Sequence, residues 1–147
     1  MAALPGLMIP TDVATLVVPS ATVAEIVSGS PPIKPLPAVE SWVQGYFRWR
    51  NYPVTLVSFE GLATGREKSK FRRLCVFYPL PGRQAHEYFA LGTSGEPRTL
   101  EIDDSAGPVP LPEGVSPGFA AGAVTVGGRT LVIPDFEAWK AAFYGER

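Results

Sequence analysis

The sequence is short of the side chains on which catalytic and metal sites usually depend. It contains one cysteine, Cys75, and one histidine, His86, among 147 residues. A single cysteine excludes a disulfide within the chain and a cysteine-rich metal site, and it favours a reducing compartment. Long apolar runs are also missing, since no segment approaches the ~20 apolar residues that span a bilayer.

An excess of charge of one sign is absent as well. The formal net charge is −1, so no overall field would hold the chain on nucleic acid or on an anionic membrane. The first residues, "MAALPGLMIP", lack the basic start and unbroken apolar core of a signal peptide. We therefore expect a cytoplasmic protein with no direct membrane insertion and no nucleic-acid partner.

The few candidates for chemistry lack the neighbours that chemistry requires. Cys75 is predicted to lie in mid-strand among apolar residues, where cysteine behaves as a small hydrophobe. His86 has Glu87 only as a sequence neighbour, whereas a general base needs a nucleophile or an orienting carboxylate beside it. The acidic run 101–104 lacks the regular oxygen spacing of an EF-hand loop. We expect no enzyme activity, no cofactor and no metal.

Turn-forming residues are abundant instead. The chain has 16 prolines and 15 glycines, which recur without a short period. This distribution predicts many turns between short elements, and therefore an all-β barrel or sandwich. The hydrophobic fraction of 46% and the charged fraction of 18% are typical of a globular protein with a core of its own.

The N-terminal segment is predicted to form two short strands and a brief helix. The strands are "LMIP" and "TDVATLVVP". Ser20 can cap the helix, since its hydroxyl accepts from an early free backbone N–H. Within it Val23, Ile26 and Val27 share a face by their spacing, and Glu25 points outward.

Extended elements dominate the predictions for the rest of the chain. The run "SGSPPIKPLP" is predicted to be an extended crossing segment, because proline restricts φ and removes a backbone donor. A helical turn is predicted from Pro37 to Gly45. "FRRLCVFYPL", "HEYFALG" and "EPRTLEI" are predicted strands, and residues 103–118 a loop without periodicity. "AGAVTV" and "RTLVIP" form a hairpin through a Gly-Gly pair, and Asp135 caps a C-terminal helix.

The stretch "GYFRWRNYPVTLVSFEG", residues 45–61, predicts a β-hairpin with Asn51 in its turn. In its first strand Arg48 and Arg50 share one face, and the aromatic residues that alternate with them share the other. Each arginine can pair with a cross-strand carboxylate or cover apolar surface with its stem. The third interpretation is a surface for a partner protein.

The order of these features resembles the CheW-like domain of bacterial chemosensory adaptors. That family typically shows a Val-x-Glu-hydrophobic helix end, then a Gly-hydrophobic-x-x-hydrophobic-Arg-Gly hairpin, then an apolar strand ending in Asp-Leu. The run 23–26 matches the first motif and the run 45–50 the second. "GAVTVGGRTLVIPDFEAW" is similar to the closing hairpin and helix of the family, so the resemblance covers most of residues 7–143.

The sequence departs from the family pattern at three places. Asn51 stands at the usual glycine, Thr55 at the usual proline, and the run 58–60, Ser-Phe-Glu, replaces Asp-Leu. Together with Arg-Trp-Arg at 48–50, these variants resemble the divergent branch associated with type IV pilus chemosensory systems.

The resemblance implies a mainly β fold of two interlocked small SH3-like five-stranded β-barrels, with short helices and a C-terminal helix. We expect a single CheW-like domain over residues 1–147. Its two barrels are expected to comprise roughly 18–65 with the C-terminal part, and 66–118 with the N-terminal part.

The function implied by the resemblance is that of a non-catalytic adaptor in the bacterial cytoplasm. It would couple the cytoplasmic tip of a methyl-accepting chemoreceptor to a CheA-like histidine kinase, in chemotaxis or in type IV pilus signalling. Glu25, Gly45 and Arg50 stand at matched positions important for this coupling. Val23 and Arg48 adjoin them and complete the expected protein-binding set.

An alternative interpretation is an OB or SH3-like nucleic-acid-binding module. The run "REKSKFRR", residues 66–73, is the basic cluster of the chain, and near aromatic side chains such a run could grip phosphates. Glu67 interrupts it, and the net charge supplies no supporting field.

Overall fold

The computed structural model describes residues 4–27, 31–35, 40, 42–64, 71–85, 87–103, 106–115 and 117–144. Within these ranges the chain is mostly β-strand, with two short α-helices and a 3₁₀ turn at Ser20–Thr22. The elements are β1 (Leu4–Pro10), β2 (Thr15–Pro19), β3 (Val23–Val27), β4 (Val43–Trp49), β5 (Tyr52–Val57), α1 (Phe59–Thr64), β6 (Arg73–Phe77), β7 (Phe89–Thr93), β8 (Arg98–Ile102), β9 (Gly107–Val109), β10 (Ala120–Val126), β11 (Arg129–Pro134) and α2 (Phe136–Tyr144).

The strands form two sheets. In the terminal sheet the strand order is β8-β1-β2-β11-β10-β9, and in the middle sheet it is β3-β6-β7-β5-β4. The chain begins in the terminal sheet, runs through all five strands of the middle sheet, and then returns. Two pairings are parallel, β2 with β11 and β5 with β7, and the others are antiparallel.

The buried side chains form three clusters, because alternate residues of a strand point to opposite faces. The shared core lies between the sheets and under α2, and it includes Leu7, Ile9, Val18, Phe77, Phe89 and Trp139. The middle core lies within the middle sheet and comprises Phe47, Trp49, Val54, Leu56, Leu74, Val76 and Ala90. The terminal core comprises Met8, Val17 and Leu131. Each central strand therefore contributes to two cores.

Several predicted elements are confirmed. The N-terminal strand pair, the strands β6 to β8 and both predicted hairpins are present. The β4–β5 turn has positive φ at Arg50 (48°) and Asn51 (68°), and the Gly-Gly turn has it at Gly127 and Gly128. Positive φ at both central residues is the geometry that a two-residue hairpin needs. Asp135 caps α2, since its Oδ1 accepts from the N–H of Ala138 at 3.1 Å.

The predicted helix after Ser20 is wrong. A 3₁₀ turn occupies 20–22, and the next residues form β3, which pairs with β6. The apolar spacing of Val23, Ile26 and Val27 fits a helix, but these side chains are β-branched and find a neighbouring strand to pair with. The helical turn before Gly45 is wrong from Val43 onward, because β4 begins there; residues 36–39 and 41 lie outside the described residues.

The number and identity of the strands in each sheet also differ from what was expected. The loop predicted over 103–118 contains β9, which makes the terminal sheet six-stranded rather than five-stranded. Strands β6 and β7, expected to lie with the N-terminal part, pair instead with β3 and β5. The middle sheet therefore takes its strands from one continuous part of the chain, Val23 to Thr93.

Helix α1 was not predicted, and a small polar cluster fixes its start. Ser58 Oγ accepts from the N–H of Gly61 at 3.0 Å, as an N-cap does. The same hydroxyl donates to Oε1 of Glu60, also at 3.0 Å. Glu60 is only 5% exposed, and its other oxygen accepts from the backbone N–H of Asp12 at 2.6 Å. This carboxylate thereby ties α1 to the β1–β2 turn.

Candidate functional site: a protein-binding surface

The two edge strands of the middle sheet meet through one carboxylate. β3 and β4 lie at opposite ends of the strand order. Glu25 on β3 nevertheless accepts two hydrogen bonds at Oε1, one from Trp49 Nε1 and one from Arg50 Nη2, each at 3.1 Å. The middle sheet therefore curls until its two edge strands meet. The hydrogen bonds of Glu25 close the resulting barrel at the end where the β4–β5 turn lies.

A β-bulge positions the carboxylate. Val23 pairs with Phe77 and Glu25 with Val76, so β3 advances by two residues while β6 advances by one. A bulge of this kind bends the strand and re-aims the side chain that follows it. Here the side chain that follows is Glu25, directed at the indole of Trp49.

Arg50 lies on the outside of this closure. Its guanidinium carbon is 4.4 Å from the centroid of the Trp49 ring, a cation–π contact. The Arg50 side chain is 61% exposed and that of Glu25 is 40% exposed. An ion pair this exposed contributes at most about 1 kcal/mol, because water screens it. Both charged groups therefore remain accessible to a partner.

The outer face of β4 carries the second arginine. Arg48 is exposed, whereas Phe47 and Trp49 on either side of it are buried in the middle core. This confirms the predicted alternation of the strand. The guanidinium of Arg48 donates to the carbonyl of Asn51 at 3.4 Å, which keeps it beside the turn.

Three tyrosines extend the surface, and none of them was predicted as a site residue. Tyr88 contacts Trp49 edge-to-face with ring centroids 4.8 Å apart, and its ring centroid lies 5.3 Å from that of Tyr52 and 6.1 Å from that of Tyr78. Tyr52 is 39% exposed and Tyr78 is 47% exposed. We call the whole set the barrel-end surface, which comprises Glu25, Arg48, Arg50, Tyr52, Tyr78 and Tyr88.

A sequence signal for these tyrosines does exist. Each stands at the end of a predicted strand: Tyr52 begins β5, Tyr78 follows β6 and Tyr88 precedes β7. Which strand ends meet depends on the parallel pairing of β5 with β7, and nothing in the residues themselves indicates that pairing.

Two of the predicted site residues are covered by the chain itself. Gly45 is buried with φ 139°, and a Cβ there would lie 2.5 Å from the carbonyl oxygen of Lys34. The 31–35 segment is held at that point by two backbone hydrogen bonds between Lys34 and Tyr46. Val23 is half-buried against the shared core. The structure thus joins Glu25 to Arg50 and keeps Arg48 at the turn that carries Arg50, whereas Gly45 and Val23 are covered by other parts of the chain.

The residues considered for chemistry have ordinary structural environments. Cys75 is fully buried, and burial raises the pKa of its thiol to about 12, so the thiolate is not available near neutral pH. Arg73, at the end of the basic run, pairs with Glu96 at 2.7 Å. His86 and residues 66–70 lie outside the described residues.

None of the described helices is long and apolar enough to cross a membrane. The described residues also contain no group of three potential metal ligands.

Comparison with known proteins identifies the family. The sequence matches the family described as "CheW-like domain" over residues 5–141. The chain belongs to the CheW-like domain family. No curated protein sequence matches it. Among solved structures, the scaffolding protein TtCheW from Thermoanaerobacter tengcongensis matches with a TM-score of 0.72 at 14% sequence identity, covering 91% of this chain and 90% of that one.

The family assignment confirms the expected fold class. The CheW-like chain is mainly β, with two SH3-like β units and a C-terminal helix, as in the TtCheW structure. CheW-like proteins are non-catalytic scaffolds of chemotaxis signalling, and they generally couple chemoreceptors with a CheA kinase. An adaptor role in chemosensory signalling, in general terms, follows for this chain.

Proposed function

We propose that this CheW-like chain is a non-catalytic adaptor that couples the tip of a methyl-accepting chemoreceptor to a CheA-like histidine kinase in the bacterial cytoplasm. Family membership supports the adaptor role in general, and the barrel-end surface supports this particular coupling. The adaptor carries out no phosphotransfer. It holds the kinase in a conformation whose population the receptor can bias through packed contacts.

The observation that carries the proposal is the exposed Glu25–Arg50 pair on Trp49, next to the three tyrosines. Arginine, tryptophan and tyrosine are the residues enriched at the energetic centres of protein interfaces. Both charged groups of the pair are more than one-third exposed, so a partner's charges can replace or extend it. Such charges set the register and the encounter rate of a complex more than its affinity.

The covered residues have a positioning role in this proposal. Gly45 lets the 31–35 segment pack against β4, so the edge of β4 is partly occupied. Val23 anchors the start of β3 in the shared core, which fixes the bulge that aims Glu25. Substitutions there would displace the exposed charges without removing them.

A charge-swap experiment tests the docking role of the pair. The variants are Arg50→Glu, Glu25→Arg and the double swap, assayed for binding to the purified kinase and for receptor-controlled kinase activity. We expect each single variant to weaken binding at least about tenfold, since like charges at an interface cost several kcal/mol. The double swap restores the pair within the chain but presents reversed charges, so binding should stay weak.

Arg72→Glu is the matched control, because this exposed arginine lies at the opposite end of β6 from Tyr78. It should bind as the wild type does, and all variants should unfold at similar temperatures. Wild-type binding by the double swap would show that the pair acts only within the chain and would remove these residues from the interface.

Within this role we favour an output through type IV pili. The support is the resemblance of Arg-Trp-Arg at 48–50 and Ser-Phe-Glu at 58–60 to the pilus-associated branch. A strain lacking the protein should lose twitching expansion on a surface and keep its swimming expansion in soft agar. The reverse pattern would assign the adaptor to flagellar control.

A further inference from the structure

A cleft of about 620 Å³ opens on the terminal sheet, away from the strands that build the barrel-end surface. Its floor is apolar and includes Met8, Leu100 and Val126. Its rim carries Arg98, at the start of β8, and Arg129, at the start of β11. We call it the arginine cleft.

Both arginines stand on the inner face of the terminal sheet. Leu100 packs against the terminal core, and Arg98, two residues earlier on the same strand, shares its face. Leu131 is buried in that core, and Arg129 shares its face by the same spacing. Arg98 is also the register partner of Met8, whose Sδ lies 3.6 Å from Nη1 of Arg129. The guanidinium of Arg129 thus contacts the buried methionine, Arg98 is the cross-strand neighbour of the same residue, and both arginines line the cleft.

Among the described residues, Arg98 and Arg129 lack the carboxylate partners that three other arginines have. Arg50 pairs with Glu25, Arg73 with Glu96, and Arg83 with Glu87. Within the described part of the chain, neither of the cleft arginines has a carboxylate partner. Inner-face positions of a small barrel are ordinarily apolar, and two like charges above an apolar floor repel each other. A bound anion would satisfy both through charge-assisted hydrogen bonds.

The backbone beside the cleft is suited to an extended peptide. β8 is an edge strand that pairs with β1 on one side, and no described strand pairs with its other side. An added strand there would place alternate side chains over the cleft. An acidic side chain would meet the arginines, and its apolar neighbours would meet the floor. A free inorganic anion would use the arginines and leave the floor exposed.

We propose that the arginine cleft binds an extended acidic segment of a partner protein, with a carboxylate held between Arg98 and Arg129 and an apolar side chain against Met8 and Leu100. The site lies on the terminal sheet, so it can be occupied together with the barrel-end surface. It gives the adaptor a second attachment point, which recognises its partner through charge and through strand pairing.

Peptide selection tests this site without knowledge of the partner. A random heptapeptide display library is selected on the wild type, on R98Q/R129Q and on K34Q/R72Q, which changes the net charge equally at exposed positions outside both surfaces. We expect acidic residues next to apolar ones to be enriched on the wild type and on K34Q/R72Q, and to be lost on R98Q/R129Q. Both cleft arginines are exposed, so their neutralisation should leave the thermal unfolding temperature unchanged.

The strongest selected peptide is then synthesised with Glu or Asp, and with Gln or Asn in their place, and titrated by fluorescence anisotropy. Loss of the carboxylate, or of the two arginines, should weaken binding at least about tenfold, because charge-assisted bonds contribute more than the 1.4 kcal/mol that this factor represents. Raised salt should weaken it as well. No acidic enrichment, equal enrichment on R98Q/R129Q, or inorganic phosphate binding as tightly as the peptide would each overturn the proposal.

Discussion

Gly45 determines the path of the 31–35 segment, because it has no side chain to keep that segment away. Its φ of 139° is strained for any other residue. The space where a Cβ would lie is taken by Lys34 and by Ile33, whose Cγ2 would be 2.8 Å away. The 31–35 segment can approach β4 this closely only because this position is glycine, and the approach lets Ile33 pack against the middle core.

Substitution of Gly45 by alanine should therefore destabilise the fold by about 1–3 kcal/mol, the cost of a strained backbone, with the steric clash added to it. Urea unfolding followed by tryptophan fluorescence measures the change. Gly107→Ala is the control, since no atom lies within 4 Å of its added Cβ and its φ is not positive. Equal unfolding midpoints for the two variants would contradict this account of Gly45.

Cys75 shows the effect of complete burial on a titratable group. Desolvation disfavours the thiolate and raises the pKa to about 12, above the ordinary value of 9.0. Between these two values the unfolded chain releases the thiol proton and the folded chain keeps it. The contribution of this group to stability is therefore complete below pH 9 and is lost as the pH rises toward 12.

The stability of the wild type should fall more steeply than that of Cys75→Val across this pH range, by about 1.4 kcal/mol per pH unit. Urea unfolding at several pH values measures both slopes. Valine keeps the site apolar, so the titrations of tyrosine and lysine are common to both proteins and cancel in the comparison. Parallel slopes would mean that the thiol ionises in the folded state.

At the scale of elements, the start of α1 depends on a buried carboxylate. Glu60 accepts from Ser58 with one oxygen and from the backbone of Asp12 with the other. Those two contacts join a helix N-terminus to the β1–β2 turn, on the other sheet. An acidic group in the first turn also suits the helix dipole.

Glu60→Gln should cost about 1–3 kcal/mol, because a neutral amide replaces the charge-assisted hydrogen bonds of a buried carboxylate with weaker ones, and the Ser58 hydroxyl must turn to accept from the new NH₂ group. Chemical denaturation measures the loss. Glu113→Gln makes the same chemical change at an exposed position and should stay within about 0.5 kcal/mol of the wild type. A Glu60→Gln variant as stable as the wild type would show that the charge of Glu60 adds nothing to these two contacts.

The sequence predicts those elements whose signals are local. Both hairpins follow from turn residues that tolerate positive φ, and α2 follows from the Asp135 cap and its apolar stripe. β3 could not be predicted, since its apolar spacing suits a helix and only the pairing with β6 decides against one. β9 is three residues long and contains a proline, so it has almost no local signal.

The candidate site likewise combines features that have a local sequence signal with features that depend on distant strand pairing. The alternation of Arg48 with buried aromatic residues is a local property and is confirmed. The contact of Glu25 with Arg50 joins strands at opposite ends of one sheet order. Both residues could be predicted at the site only from the family resemblance. The tyrosine cluster depends on a parallel pairing with no sequence signature, and it was missed.

At the scale of the molecule, three cores share their strands. The shared core joins the two sheets, while the middle and terminal cores belong to one sheet each. Two distant surfaces can therefore be attached to a common interior, one at the end of the middle barrel and one on the terminal sheet. Such an arrangement suits an adaptor, which must hold its attachment points in a fixed relation.

The path of the chain between the sheets has a consequence for biosynthesis. All strands of the middle sheet leave the ribosome in one continuous run, from β3 to β7. β1 and β2 emerge earlier, yet they must wait for β8 and β11, their partners from the far side of that run. A nascent chain that stalls after β7 thus carries one completed barrel and a β1–β2 pair whose outer edges are unpaired. Those edges are the part of the nascent protein that most needs a chaperone.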